Sequence, residues 1–148
     1  MKPVVPPHKK TAKLRIREQL NFHLAGISSH ENDYRLVWAV NNQLSTDYAR
    51  IDNLILRKSE PDPNLEFSRY MWSDEDRMLT YYLISNRCPD GFLFPDLRKF
   101  DYFLQVSGEC DDKTFDQILK DYRKTEIISA IYRINPENIR GDLSILEI

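Results

Sequence analysis

The sequence predicts an α+β domain, a mainly antiparallel sheet of five to six strands with two helices packed on it. Several segments of strand length are apolar or alternate between apolar and polar residues, and two longer segments repeat apolar residues at helical spacing. The strand candidates in the middle of the chain are joined by turns too short for a parallel crossover, which needs a dozen or more residues. The predicted order is β-α-β-β-β-β-α-β.

The first strand is predicted over residues 20–27, where apolar residues alternate. Residues 28–31, Ser-Ser-His-Glu, resemble a capping box that starts a helix. The helix carries its apolar and aromatic residues at helical spacing: Tyr34, Val37, Trp38, Asn41 and Leu44. Because Leu36 and Val40 widen this stripe, we expect the helix to lie deep against the sheet.

Three strands are predicted next, over residues 51–58, 65–72 and 78–86, and their short connections favour an antiparallel meander. The third is apolar in both registers, so it should be buried on both faces. Either helices cover both faces of the sheet there, or one face meets another protein.

A further strand is predicted over residues 101–107, followed by a helix that Asp111 or Asp112 caps. The apolar residues of this helix form a single stripe: Phe115, Ile118, Leu119 and Tyr122. A helix with one such stripe is expected on the surface of the sheet. The last strand is predicted over residues 128–134.

Length and charge divide the 148 residues into a flexible, basic, Pro/Lys-rich arm at 1–13 and a single α+β domain at 14–148. The whole chain has a net charge of −2. The first 17 residues hold six basic and no acidic residues, so the charge of residues 18–148 is −8. An acidic body disfavours nucleic-acid binding by the folded part. Only the arm and the residues directly after it offer candidate contacts to RNA or a ribosome: Lys9, Lys10, Lys13, Arg15 and Arg17.

The two cysteines, Cys88 and Cys110, form no C-x-x-C motif, and no paired histidines accompany them. We therefore expect free thiols in a reducing, cytoplasmic compartment, with no metal and no cofactor. The N-terminal residues lack the apolar segment of a signal peptide, and no apolar run reaches the length of a membrane span.

Residues 94–102 read Phe-Pro-Asp-Leu-Arg-Lys-Phe-Asp-Tyr. This string resembles the signature of the bacterial IPExxxVDY family: Pro95, Asp101 and Tyr102 match it, and Phe94, Asp96 and Phe100 stand where the family has Ile, Glu and Val, which are residues of similar character. Segments at 22–29, 33–41 and 82–86 are similar to the same family, so the resemblance covers roughly residues 20–134. It implies one small domain, and it supplies no activity and no catalytic residues.

Candidate polar residues each have a structural explanation as well as a functional one. Asp101 could hold a backbone amide or Arg98, and Arg35 could pair with Asp101 or Glu31. Asn41, inside an apolar stripe, should satisfy a backbone group. His30 is the histidine nearest to other useful groups, but no catalytic residue is assigned.

Three functions follow from these residues. The leading one is a non-enzymatic protein-interaction module that binds an unknown protein or a second copy of itself through exposed aromatics at Phe92, Phe94 and Phe103. The first alternative is an RNA- or ribosome-associated protein that uses the basic arm. The second is a small-molecule-binding domain or enzyme in which His30, Arg35 and Asp101 converge on one pocket.

Overall fold

The computed structural model describes residues 22–141 and 143–146. The strands and helices, in chain order, are β1 (Phe22–Ser28), α1 (Asp33–Leu44), β2 (Ala49–Leu56), β3 (Leu65–Asp74), β4 (Leu79–Ser85), β5 (Arg87–Cys88), β6 (Gly91–Phe92), β7 (Tyr102–Ser107), α2 (Asp112–Arg123) and β8 (Ala130–Ile134). The predicted α+β class and the order of its main elements are confirmed. The short hairpin of β5 and β6 was not predicted.

Six strands form one sheet in the order β2-β3-β4-β7-β1-β8, and every neighbouring pair is antiparallel. The meander of β2, β3 and β4 follows the predicted connections. The meander continues to β7, which pairs with β4, but β8 does not follow β7, because β1 lies between these two strands. The first described strand is therefore central and the last one is at an edge.

Each face of the sheet has its own core. The two helices cover one face, where the predicted stripe of α2 is fully buried. The other face is covered by the loop that precedes β7, through Leu93, Phe94 and Phe100, and by the C-terminal residues up to Leu146. The prediction that β4 is buried on both faces is confirmed, and its second face is covered from within the same chain.

Both helices begin at a cap residue whose side chain accepts a hydrogen bond from the backbone amide three residues later. Asp111 caps α2 by accepting a hydrogen bond from the Thr114 amide at 2.7 Å. Of the two predicted cap residues, Asp111 and Asp112, the first is therefore the cap. The predicted capping box at 28–31 is wrong, because α1 starts later. Asn32 is its cap and accepts from the Arg35 amide at 3.2 Å.

The expected deep burial of α1 is also wrong. Leu36, Val37 and Val40 face the sheet, whereas Tyr34 is 63% exposed and Trp38 is 70% exposed. The two groups lie on different sides of the helix, and one side suffices to cover the sheet. Aromatic rings are thus left in solvent on the outer side of α1.

Candidate functional site

A polar cleft of about 690 Å³ lies at one end of the sheet. At this end β1 and β4 finish and β7 and β8 begin, because the strands are antiparallel. The loop between β1 and α1 contributes residues 28–32 to the cleft, and the other side consists of Ser85, Arg87, Lys99, Asp101, Tyr102 and Ser129. The fold thus brings together side chains that are distant in the sequence.

Asp101 connects the two sides of the cleft. Its Oδ2 accepts a hydrogen bond from the Ser29 amide at 2.8 Å, and its Oδ1 lies 2.8 Å from Arg87 Nη2. Its backbone amide donates to the Ile27 carbonyl at 2.8 Å, and its carbonyl accepts from the Asn86 amide at 2.9 Å. Asp101 is therefore the point at which β1, β4 and the start of β7 are joined. The predicted backbone-amide anchor is confirmed, while the cation is Arg87 and not Arg98.

The hydroxyl groups at the cleft are used by the protein's own backbone. Tyr102 donates to the Glu31 carbonyl at 2.5 Å, and burial raises the pKa of its phenol. Ser28 Oγ donates to the Lys99 carbonyl at 3.1 Å, and Ser129 Oγ donates to the Ser28 carbonyl at 2.8 Å. These hydroxyl protons already have acceptors, so the groups position the loops and are not arranged as nucleophiles beside a base.

The predicted convergence of His30, Arg35 and Asp101 is only partly correct. His30 and Asp101 both line the cleft. Arg35 does not; it pairs with Glu31, with 3.2 Å between Nε and Oε2, one of the two partners expected for it. The arginine at the cleft is Arg87, which the periodicity of the sequence does not distinguish from other surface arginines.

Asn86 is a structural residue that the sequence prediction missed. Its side chain is fully buried, and Nδ2 donates to the Leu97 carbonyl at 3.1 Å and to the Phe100 carbonyl at 2.9 Å, while Oδ1 accepts from the Phe94 amide at 2.9 Å. It therefore fixes the shape of the loop that carries the family-like string. The available signal was an asparagine at the end of a strand that is apolar on both faces.

The remaining residues of that string have modest roles. Pro95 is the first residue of a 3-10 turn, Pro95–Leu97, where its fixed φ suits the position. Asp96 lies 4.0 Å from Arg140, and both side chains are exposed. Outside that string, Asn41 lies in α1, and its side chain bonds both the amide and the carbonyl of Tyr48, as its expected backbone role requires.

The predicted aromatic interface is wrong for two of its three residues. Phe94 and Phe103 are buried and pack edge to face, with 5.5 Å between their ring centroids. Phe92 is half-buried, with the guanidinium carbons of Arg87 and Arg98 at 5.5 and 5.7 Å from its ring centroid. The loop folds over the sheet, so these rings belong mainly to the core.

The outer face of α1 is instead the aromatic surface of the domain, and we define it as Tyr34, Arg35, Trp38 and Asn42. All four side chains are exposed, and residues three or four apart on a helix lie next to each other. Asn42 donates to the Trp38 carbonyl at 3.0 Å. Two exposed aromatic rings thus lie one turn apart on this face.

Two expectations concern features outside this site. The basic residues proposed as nucleic-acid contacts, Lys9, Lys10, Lys13, Arg15 and Arg17, lie outside the described residues. In the part of the chain that the structure covers, no group of three or more His, Cys, Asp or Glu side chains could hold a metal ion. Nor does this part include a helix with the length and apolar character to cross a bilayer.

The whole sequence matches no protein-family model and no curated protein. The resemblance to the IPExxxVDY family therefore stays a prediction that rests on the residues quoted above.

Proposed function

We propose that this protein is a non-enzymatic interaction module that pairs with a second copy of itself through the outer face of α1. The observation that carries the proposal is the exposure of Trp38 and Tyr34, at 70% and 63%, on adjacent turns of one helix. Burying such rings is favourable by about 25 cal/mol per Å² of apolar surface. Trp, Tyr and Arg are also the residue types that contribute most at protein interfaces.

The outer face of α1 is self-complementary in an antiparallel helix pair. In such a pair, each residue faces the one whose residue number is equally far from the two-fold axis on the other side. An axis level with residue 36 therefore places Tyr34 opposite Trp38 of the second copy. Arg35 then lies next to the same indole ring, where a cation–π contact is favourable. A surface that is complementary to its own copy about a two-fold axis gives a closed dimer.

The available area supports a weak dimer. A large aromatic side chain buries roughly 150–250 Å², so the four rings of two copies supply roughly 500 Å² at their observed exposure. A specific interface needs about 1,000 Å² in total, so side chains that flank the rings must supply the other half. We therefore expect a dissociation constant of roughly 10–100 µM.

Sedimentation velocity across a concentration series tests the proposal. The wild-type chain should move from monomer to dimer over roughly 1–500 µM, and Trp38→Ala should stay monomeric throughout that range. Tyr132→Ala is the matched control, because Tyr132 is another exposed aromatic, 58% exposed, on the edge strand β8. A monomeric wild-type chain at every concentration, or a Trp38→Ala dimer as strong as wild type, would contradict the proposal.

A further inference from the structure

We propose that the polar cleft binds a small anion that carries a carboxylate or a phosphate group. This inference concerns the cleft beside the β1–α1 loop, and it does not rest on dimer formation. It follows from which hydrogen-bonding groups of the cleft are already used and which remain available to a ligand.

The acceptors of the cleft are largely occupied. Both carboxylate oxygens of Asp101 have partners, the Ser29 amide and Arg87. The Glu31 carboxylate pairs with Arg35 and its carbonyl accepts from Tyr102. A cation or a neutral donor entering the cleft would have to displace one of these contacts.

The groups that remain are donors. Lys99 is exposed, and its Nζ lies 5.1 Å from the Phe100 ring centroid; it forms no ion pair within the described ranges. Arg87 uses Nη2 for Asp101 and for the Arg98 carbonyl, so its other guanidinium nitrogens point to no described acceptor. His30 is exposed on the loop opposite, and no described side chain bonds its ring.

Charge favours the same class of ligand. The two carboxylates that line the cleft, Glu31 and Asp101, are each paired with an arginine, so the charge of Lys99 is the one that these pairs leave uncompensated. A planar guanidinium that is already oriented by Asp101 and by the ring of Phe92 loses little freedom when it binds a second oxyanion. The first turn of α1 takes no part, because Asn32 and Asp33 accept from its amides.

An NMR titration of the full ¹⁵N-labelled chain tests the inference. Inorganic phosphate and succinate are added in separate arms at constant ionic strength, with sodium chloride as the reference salt. Saturable shifts should appear at the amides of His30, Arg87 and Lys99. Saturation with phosphate alone identifies a phosphate site, and saturation with succinate alone identifies a carboxylate site; either result supports the inference.

Two variants separate a built site from general charge effects. Lys99→Gln should weaken binding about tenfold, the value of one lost charge-assisted hydrogen bond. Lys58→Gln, an exposed lysine beyond the end of β2, should leave binding unchanged. The inference is overturned if neither anion gives saturable shifts beyond those of chloride, or if the two variants bind alike.

Discussion

The ring of Phe100 lies on the backbone of Gly26, in the middle of β1. A Cβ placed on Gly26 would be 2.6 Å from Phe100 Cδ1, closer than real contacts allow. Glycine is thus required in this strand for space, and the loop before β7 is seated on the sheet through this contact. Phe100 belongs to the core that the loop covers, together with Phe94 and Leu93.

Gly26→Ala should lower the free energy of unfolding by about 2 kcal/mol, because the added methyl must displace the Phe100 ring from a packed core. Urea unfolding measures the loss. Gly91→Ala is the control, since its Cβ would meet only the end of the Leu65 side chain, at 3.1 Å. Equal stability of Gly26→Ala and wild type would show that Phe100 is not packed on β1 in this way.

Asn86→Asp should destabilise the domain by about 3 kcal/mol, because it replaces two buried donors with an acceptor facing the Leu97 and Phe100 carbonyls. Amide exchange of Leu93 and Phe94, which bond to Asn86, should accelerate together with the loss of stability. The same change at Asn53, which is half-buried on β2 and accepts from Arg50 through an oxygen that aspartate keeps, should have little effect. Matching effects at both positions would argue against the role given to Asn86.

We expect a coupling energy of about 1 kcal/mol for the contact between Asp101 and Arg87. This is smaller than the coupling energy of a buried ion pair, because the Arg87 side chain reaches solvent. A double-mutant cycle of Asp101→Asn and Arg87→Gln measures it by urea unfolding. Asp96 and Arg140 form the control pair, 4.0 Å apart and both exposed, for which the coupling should be near zero. If the coupling energy between Asp101 and Arg87 does not fall at high salt, the contact is more buried than described and the prediction is wrong.

The hydroxyls of Tyr48 and Tyr122 meet at 2.5 Å between the helices and the sheet, and burial is the main cause that raises the pKa of both phenols. An unfolded tyrosine ionises near pH 10, while these two stay neutral in the folded state. Stability that is complete below about pH 10 should therefore fall as the pH rises further.

Tyr48→Phe should cost about 1 kcal/mol at neutral pH, through the lost hydrogen bond, and should make the alkaline decline less steep. Urea unfolding between about pH 8 and pH 11 measures both effects. Tyr132→Phe, on an exposed ring, should leave the neutral-pH stability unchanged. An unaltered alkaline slope in Tyr48→Phe would contradict the assignment.

Periodicity was sufficient for the elements themselves. The stripe of α2 and the two-sided apolar pattern of β4 each have one physical interpretation, and the structure confirms both. On α1 the pattern did not show which side of the helix is buried, because both sides carry large apolar or aromatic residues. One side has Tyr34 and Trp38, and the other has Leu36, Val37 and Val40. Only the position of the sheet decides which side is buried.

The site was harder to predict because it depends on strand order. His30 and Asp101 come together since β1 pairs with β7, and local spacing carries no information on such a pairing. The same limitation applies to Phe94 and Phe103, whose burial comes from the loop that folds back over the sheet. A turn-rich, Pro-containing segment gives no periodic signal of the face it will cover.

The position of β1 between β7 and β8 constrains the order in which the molecule can assemble. Residues 22–28 leave the ribosome early, yet the strand on one side is residues 102–107 and the strand on the other is residues 130–134. Until β7 is made, β1 has no backbone partner in the sheet, while the meander of β2, β3 and β4 can already form. Pairings between such distant segments slow folding and leave apolar strand surface uncovered meanwhile. Nascent chains that stop before β7 therefore leave the apolar residues of β1 uncovered, and we expect such chains to be prone to aggregation.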